Sequence, residues 1–421
     1  MIPTIIISAL TCLAIVITTL IKPSIKIKRF TLNFYWVIAL TGALILLCST
    51  LVGFDEFFKG LTADTGINPI QILILFLSMT MISIFLDELG FFSFLASFAL
   101  KRTKANQFVL FTVLYILVSL LTMFTSNDII ILTLTPFIVF FCKNAKISPI
   151  PYLVSEFVAA NTWSMIFIIG NPTNIYLASN FGIDFVSYFK VMAIPTLVAG
   201  IVEYGILLLL NSSCEDAKLE NKPLTIIGLS ILLICTTFLI ISSYVNLPMW
   251  IISLSSIVLL SIVVFIFCAF SKRMPKEMLH TYKRAPWELI PFVIGMFTIA
   301  LSLDKYEVTN KICEFFGDSA LVWKYGYSSF LSANLLNNIP MSVVFTSILS
   351  NSSSVEQISA IYACIAGSNI GAFLTPIGAL AGIMWMGILK NHEVKFNFLS
   401  FVKYGFIIAI AVMTAALFMI S

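Results

Sequence analysis

The stretch Phe108–Phe141, FVLFTVLYILVSLLTMFTSNDIIILTLTPFIVFF, decides how the rest of the chain is read. It is apolar at both ends and broken in the middle by Ser126-Asn127-Asp128. At about 20 apolar residues per crossing, it is too long for one membrane span and too short for two with a turn. A helical hairpin with its tip at Ser126-Asn127-Asp128 fits. A second stretch of the same kind, Ala320–Leu349, carries Asn337-Asn338-Ile339-Pro340 at its centre. The chain is 60% apolar and 10% charged, which places it among polytopic helical membrane proteins.

Each hairpin stretch is followed by a second interruption. Gly170-Asn171-Pro172-Thr173-Asn174 breaks the apolar run 151–182, and Gly367-Ser368-Asn369-Ile370-Gly371 with Thr375-Pro376-Ile377-Gly378 breaks 355–390. In hydrocarbon an unpaired N–H or C=O costs several kcal/mol, so irregular backbone at that depth is tolerated only where it lines a protein cavity. Paired interruptions in two halves of a chain are the best sequence pointer to a transporter's binding site. Further helices are expected near 2–21, 31–53, 69–89, 185–210, 223–243, 247–270, 287–303 and 397–420.

The expected fold is therefore all-α and polytopic, with about ten spans plus two re-entrant hairpins arranged as two inverted repeats. The parts divide as N-terminal helices 1–68, a first repeat 69–210, connecting helices with a basic cytoplasmic loop 211–286, and a second repeat 287–421. Charge supports the inversion. Lys22, Lys26, Lys28 and Arg29, then Lys101, Arg102 and Lys104, then Lys143 and Lys146, then Lys218 and Lys222, then Lys272 to Arg284, then Lys390 and Lys395 all fall on one side. Lys59, Lys190, Lys305, Lys311 and Lys324 fall on the other. Under the positive-inside rule the richer side is cytoplasmic, both termini lie outside, and the two hairpins open to opposite faces. The loop Ser271–Arg284 reads as a flexible connector, and Asp87-Glu88 as solvated charge at a helix end.

Site residues follow from the breaks. Ser126, Asn127 and Asp128 put a hydroxyl, an amide and a carboxylate at one hairpin tip, where side-chain oxygens and helix ends can hold an ion; the same residue types are also the preferred helix N-caps. Thr135, Asn171, Thr173, Asn174, Asn337, Asn338, Ser368, Asn369 and Thr375 complete the expected substrate- and ion-binding set. Asp128 and the mid-span Glu203 are the coupling candidates, because an ionisable group inside a membrane is a functional hypothesis by default. The eight cysteines have no CxxC spacing and both histidines, His280 and His392, lie in expected loops, so no metal site is expected. No GxxxxGK[ST] phosphate loop is present, and transport would draw on an ion gradient, the membrane potential or a separate ATPase subunit.

The ordered motifs Leu86-Asp87-Glu88-Leu89-Gly90-Phe91-Phe92, Asn127-Asp128 to Leu134-Thr135-Pro136, Ala285-Pro286-Trp287, Gly295-Met296, Asn337-Asn338-Ile339-Pro340 and Leu374-Thr375-Pro376-Ile377-Gly378-Ala379-Leu380-Ala381 resemble those of an ion-transporter superfamily. That superfamily includes arsenite permeases, NhaD-type sodium/proton antiporters and divalent-anion/sodium symporters. The arsenite permease pattern, that of the arsenical pump membrane proteins, is the nearest over about residues 30–420. The resemblance implies a central substrate site between inverted repeats, alternating access, and arsenite or antimonite efflux in exchange for protons at the plasma membrane. The interruptions Gly170-Asn171-Pro172-Thr173-Asn174 and Gly367-Ser368-Asn369-Ile370-Gly371 contain no acidic residue, and the neutral Gly170-Asn171-Pro172-Thr173-Asn174 looks more like anion-transporting relatives. The alternative is thus a sodium- or proton-coupled carrier of a dicarboxylate- or citrate-like anion, or a sodium/proton antiporter. No enzyme activity, cofactor or nucleic-acid partner is expected. The expected partners are membrane lipid and a small anion or metalloid, with a second copy of the chain and a separate ATPase subunit as further candidates.

Overall fold

The computed structural model describes the chain except for residues 22–23, 28–29, 63–68, 92–106, 145–147, 210–233, 235–237, 239–247, 353–354, 377 and 397. The helix expected over 223–243 and the basic residues Lys101, Arg102 and Lys104 lie outside the described residues.

Helix α1 (Ile2–Ile21) leads into a short antiparallel ribbon, β1 (Ser24–Ile27) and β2 (Phe30–Asn33). Then come α2 (Phe34–Cys48), the amphipathic α3 (Phe54–Thr62) and α4 (Pro69–Glu88). The first hairpin is α5 (Gln107–Phe124) and α6 (Asn127–Asn144), turning at Thr125-Ser126. Its arms run beyond Phe108–Phe141 at both ends. Each has 18 residues, or about 27 Å at 1.5 Å per residue.

The broken helix follows as α7 (Ile150–Trp163), a 3₁₀ turn at Ile168–Gly170, and α8 (Pro172–Asn180); α9 (Phe185–Leu208) closes this half. The break has a local cause. Asn171 is the N-cap of α8 and its side chain accepts from Thr173 N–H, while Pro172 occupies the first helical position, where no N–H is missed. Gly170 is required by close approach, since a Cβ there would run into the Ser164 carbonyl. At α9, Asp184 caps by accepting from the N–H groups of Val186 and Ser187.

Beyond the connecting segment lie α10 (Met249–Phe270) and α11 (Lys276–Arg284). The order of parts in the first half then recurs: α12 (Leu289–Lys305), the surface helix α13 (Val308–Phe316), a hairpin of α14 (Leu321–Leu336) and α15 (Asn338–Ser350), a helix α16 (Gln357–Gly371) broken before α17 (Leu380–Asn391), and the final α18 (Phe398–Ile420). The hairpin reverses at Asn337, whose φ of 71° is one that few residues other than glycine and asparagine accept. By length and composition Pro69–Glu88, Phe185–Leu208, Trp250–Phe270, Lys276–Lys305 and Phe398–Ile420 can each cross a membrane, and shorter apolar helices accompany them.

The halves interlock. Helix α9 packs along α18, α2 along α12, and α8 against both α15 and α16. Hairpin arm α14 lies closest of all to α16, where a Cβ on Gly367 would overlap Ser329 Oγ and the backbone of Gly326 and Phe330.

Two expectations need correction. The segment Ser271–Arg284 is no flexible connector, because it holds the helix α11, whose basic end clamps onto α4. Arg284 lies 2.6 Å from Asp87 and 2.6 Å from Glu88, and His280 lies 3.1 Å from Glu88. Asp87-Glu88 is consequently paired charge and not free solvated charge.

Candidate functional site

The two broken segments meet at a cluster of neutral amides and hydroxyls centred on Asn369, which is fully buried. Its Oδ1 accepts from Asn171 Nδ2 at 2.8 Å and lies 2.9 Å from Ser164 Oγ. Its Nδ2 donates to Asn174 Oδ1 at 2.6 Å and to Ile365 O at 2.8 Å. Beside it the Thr173 and Ser368 hydroxyls are 2.9 Å apart. Asn174 Nδ2 in turn donates to the Ser164 carbonyl at 2.8 Å, one of the groups freed by the end of α7. Five expected site residues, Asn171, Thr173, Asn174, Ser368 and Asn369, thus stand in one network drawn from both halves.

The hairpin tips attach differently, each to the broken helix of its own half. Asn127 Nδ2 donates to Asn161 Oδ1 at 2.9 Å, and Ser126 Oγ is 3.5 Å from Asn127 Oδ1. Asn161 connects this tip to the centre, because its carbonyl lies 2.7 Å from the same Ser164 Oγ that reaches Asn369. In the second half Asn338 N–H donates to Gly378 O at 3.0 Å. Thr375 closes onto the hairpin through Asn334, whose Oδ1 accepts from Thr375 Oγ1 at 2.7 Å and Thr375 N–H at 3.0 Å. Asn337 and Asn338 are buried, and Asn338 Oδ1 has no hydrogen-bond partner among the described residues.

The first turns of α8 and α15 face a shared cavity of about 20 Å³, lined by Pro172, Thr173, Tyr176, Ile339 and Ser342 with Leu73, Leu289 and Val293. Both helix N-termini present the positive ends of their dipoles to it. Among the described residues no charged side chain lines the cavity or joins the amide cluster. A volume of that size holds about one water, so the site is closed in this conformation.

Three expected residues stand apart. Asp128 is half-buried at the start of α6, within electrostatic reach of Tyr35 on α2. Thr135 Oγ1 lies 3.0 Å from both carboxylate oxygens of Glu156. Glu203 is buried on α9, facing Thr162 and Tyr115, with neither oxygen in a hydrogen bond among the described residues; the Tyr115 hydroxyl donates to Gly200 O at 2.8 Å and accepts from Trp163 Nε1 at 2.9 Å.

Sequence reasoning passed over Asn161, Ser164 and Asn334, which tie the tips to the centre, and Glu156. The usable signal was position. Asn161 and Ser164 fall just before the Gly170 break, and Asn334 lies one helical turn before Asn338, on the face that meets the broken helix.

A family model described as "Citrate transporter" matches residues 30–365. The chain is 26% identical over 409 residues to a putative arsenical pump membrane protein of Bacillus subtilis, covering 87% of this chain and 89% of that one. It is 24% identical over 366 residues to an arsenical pump membrane protein of Escherichia coli, covering 81% and 84%. A 46 kDa membrane protein of Mycobacterium leprae is 25% identical over 408 residues, at 90% and 91% coverage. In fold, the chain is similar to the crystal structure of the Alcanivorax borkumensis YdaH transporter, with a TM-score of 0.57 over 99% of this chain and 97% of that one at 12% identity.

Proposed function

Because this chain belongs to the citrate transporter family, and is therefore a multi-pass transporter of the plasma membrane, we propose that it is a secondary carrier of a small carboxylate anion, coupled to protons or sodium. The observation that carries this reading is the shared cavity at the first turns of α8 and α15, where the uncharged hydroxyl residues Thr173, Tyr176 and Ser342 stand among apolar side chains. In this closed state Thr173 N–H is held by Asn171 Oδ1 and Asn338 N–H by Gly378 O, and the positive dipole ends of the two helices favour an anion without a basic residue. In the closed state the cavity is far too small for a dicarboxylate. Loading requires a hairpin to withdraw from its broken helix, at Asn127–Asn161 on one side or at Asn334–Thr375 with Asn338–Gly378 on the other. The wall formed by Asn171, Thr173, Asn174, Ser368 and Asn369 need not break in either step. Alternate release of the two hairpins gives access from alternate sides of the membrane, with Asp128 and Glu203 as the ionisable groups for coupling.

A second reading, arsenite or antimonite efflux in exchange for protons, is favoured by the names of the Bacillus subtilis and Escherichia coli relatives. Undissociated arsenite is an uncharged trihydroxy compound, and the unpartnered Asn338 Oδ1 could accept from one of its hydroxyls. Purified protein in liposomes separates the two readings. Labelled citrate, shorter dicarboxylates, arsenite and antimonite are offered with proton and sodium gradients imposed one at a time. Gradient-driven carboxylate accumulation supports the first reading and arsenite movement alone the second. Flux of inorganic ions at channel rates would sink both.

A further inference from the structure

A second cavity, of about 280 Å³, lies apart from the cargo site, between α4 and α10. One wall runs from Ile74 to Met81 and the other from Leu254 to Ser261, and Tyr282 near the end of α11 and Trp287 just beyond it complete the lining. At 1.5 Å per residue, the walls begin about 10–14 Å below the ends of α4 and α10 at Glu88 and Phe270 and reach down to about 21–24 Å. In a bilayer whose hydrocarbon core is about 30 Å thick, that is acyl-chain depth. Leu254 and Val258 are 38% and 49% exposed while Leu77, Met81 and Ile257 are buried, so the cavity has a packed floor and opens sideways.

The mouth of the cavity is held in place by hydrogen bonds. Ser261 Oγ donates to Ile257 O at 2.7 Å, and a hydroxyl has one proton, so the Tyr282 hydroxyl, 2.7 Å away, is the donor to Ser261 Oγ. The Trp287 indole donates to Tyr282 O at 2.7 Å. Two amphipathic rings thus stand at the mouth, and tyrosine and tryptophan are the residues enriched at the level of lipid headgroups.

Charge around α11 is divided between its two flanks. The helix buries Met278 and Thr281. At 3.6 residues per turn, His280 and Arg284 fall on one flank, where Asp87 and Glu88 take them up. On the other flank Tyr282 lines the cavity, and Leu279, Lys283 and Lys276 follow round the helix, all three exposed. Among the described residues neither of these lysines has an ion pair. The acids nearest in sequence are committed elsewhere, Glu277 to Arg273 and Glu288 to Asn33 and Tyr35. An apolar slot with an aromatic rim and two uncompensated cations beside it complements an acyl chain that ends in an anionic headgroup.

We propose that this cavity is a binding site for one anionic phospholipid of the leaflet that α11 faces, the cytoplasmic one by the positive-inside rule, with an acyl chain between α4 and α10 and the phosphate at Lys283 and Lys276. The lipid so seated lies behind the wall of the cargo site. Ile74 of α4 faces the lipid cavity and its neighbour Leu73 the cavity at α8 and α15, and Trp287 and Leu289 divide in the same way. The assignment is independent of which cargo the protein carries.

The test uses the full chain in detergent, equilibrated with equal amounts of phosphatidylglycerol and phosphatidylcholine that carry the same acyl chains. Native mass spectrometry then counts and weighs the lipid each molecule keeps. At about fivefold per basic residue beside an anionic headgroup, two lysines give about a 25-fold preference for phosphatidylglycerol, with one molecule retained per chain. The double variant Lys276→Gln, Lys283→Gln is expected to keep one lipid without preference. Val258→Trp, which fills the slot from its exposed side, is expected to keep none, and Leu254→Trp is a second filling variant at the same rim. Heat unfolding is the independent readout, in which phosphatidylglycerol should raise the midpoint of the parent more than phosphatidylcholine does, and both lipids should act equally on the lysine double variant. The proposal is overturned if the parent shows neither retention nor a midpoint shift, if it keeps the two lipids equally, if the preference survives loss of both lysines, or if both filling variants keep lipid like the parent.

Discussion

Replacing Asn369 by Leu removes the residue on which both broken segments converge. Leucine repeats the heavy-atom branching of asparagine with two bulkier methyl groups in place of the amide, so the main loss is polar. Asn171 Nδ2 loses the acceptor it holds at 2.8 Å, and Asn174 Oδ1 the donor it holds at 2.6 Å. Ser164 Oγ keeps the Asn161 carbonyl at 2.7 Å. Two buried groups are therefore orphaned. At about 1–3 kcal/mol each in protein interiors, scaled down because side-chain hydrogen bonds in membrane helices average about 0.6 kcal/mol, the expected destabilisation is about 2–4 kcal/mol. Unfolding by SDS in mixed micelles, read by tryptophan fluorescence, measures it. The Asn171→Ala, Asn369→Ala and double variants then give the pair's coupling, expected at about 0.5–2 kcal/mol. A loss below about 0.5 kcal/mol for Asn369→Leu, with zero coupling, would refute the idea that this network joins the halves.

Four further outcomes are expected. Asn127→Leu and Asn338→Leu should each abolish cargo uptake while inserting normally in the membrane, checked by uptake against surface expression; full uptake by both removes the tips from the site. Gly170→Ala drives a Cβ into the Ser164 carbonyl, so its yield of folded protein on size-exclusion should fall well below that of Gly205→Ala, where nothing lies within 4 Å of the added carbon. A Lys276→Cys variant should resist membrane-impermeant thiol reagents in intact cells and react after lysis, since α11 is expected on the cytoplasmic side; labelling in intact cells reverses the topology. Finally, hydrogen bonds from Lys305 and from Gly53 N–H hold the Glu56 carboxyl below its ordinary value. A depressed carboxylate contributes stability above its unfolded pKa that is lost as pH falls through the folded one. Acid unfolding of Glu56→Gln should therefore lack a component that the parent shows, and superimposable curves would dismiss that contact.

What the sequence shows plainly is where backbone leaves the helix inside apolar surroundings. Ser126-Asn127-Asp128, Gly170 to Asn174 and Thr375-Pro376 announce themselves because hydrocarbon tolerates them only under special conditions. Helix ends followed to within a few residues. Partners separated along the chain were not legible. Thr135 entered the expected site with the motif Leu134-Thr135-Pro136, yet its contact is Glu156 on the next helix, and nothing in the apolar run around Val154-Ser155-Glu156-Phe157 marks the depth or facing of that carboxyl. Helix α11 was hidden for the opposite reason. Its density of charge reads as loop until Arg284 and His280 find Asp87 and Glu88 across 192 to 197 positions of sequence.

The neutrality of the central cluster has a consequence for how cargo would arrive. At physiological ionic strength the screening length is about 8 Å, and a pocket lined with lysine or arginine loses affinity and capture rate steadily as salt rises. Amides, hydroxyls and the first turns of α8 and α15 act only at hydrogen-bond range, so they cast little field into solution. Affinity at such a site should stay nearly flat across salt concentrations that would cripple a cationic one, and discrimination between cargoes would come from shape and hydrogen-bond count, with net charge a secondary matter.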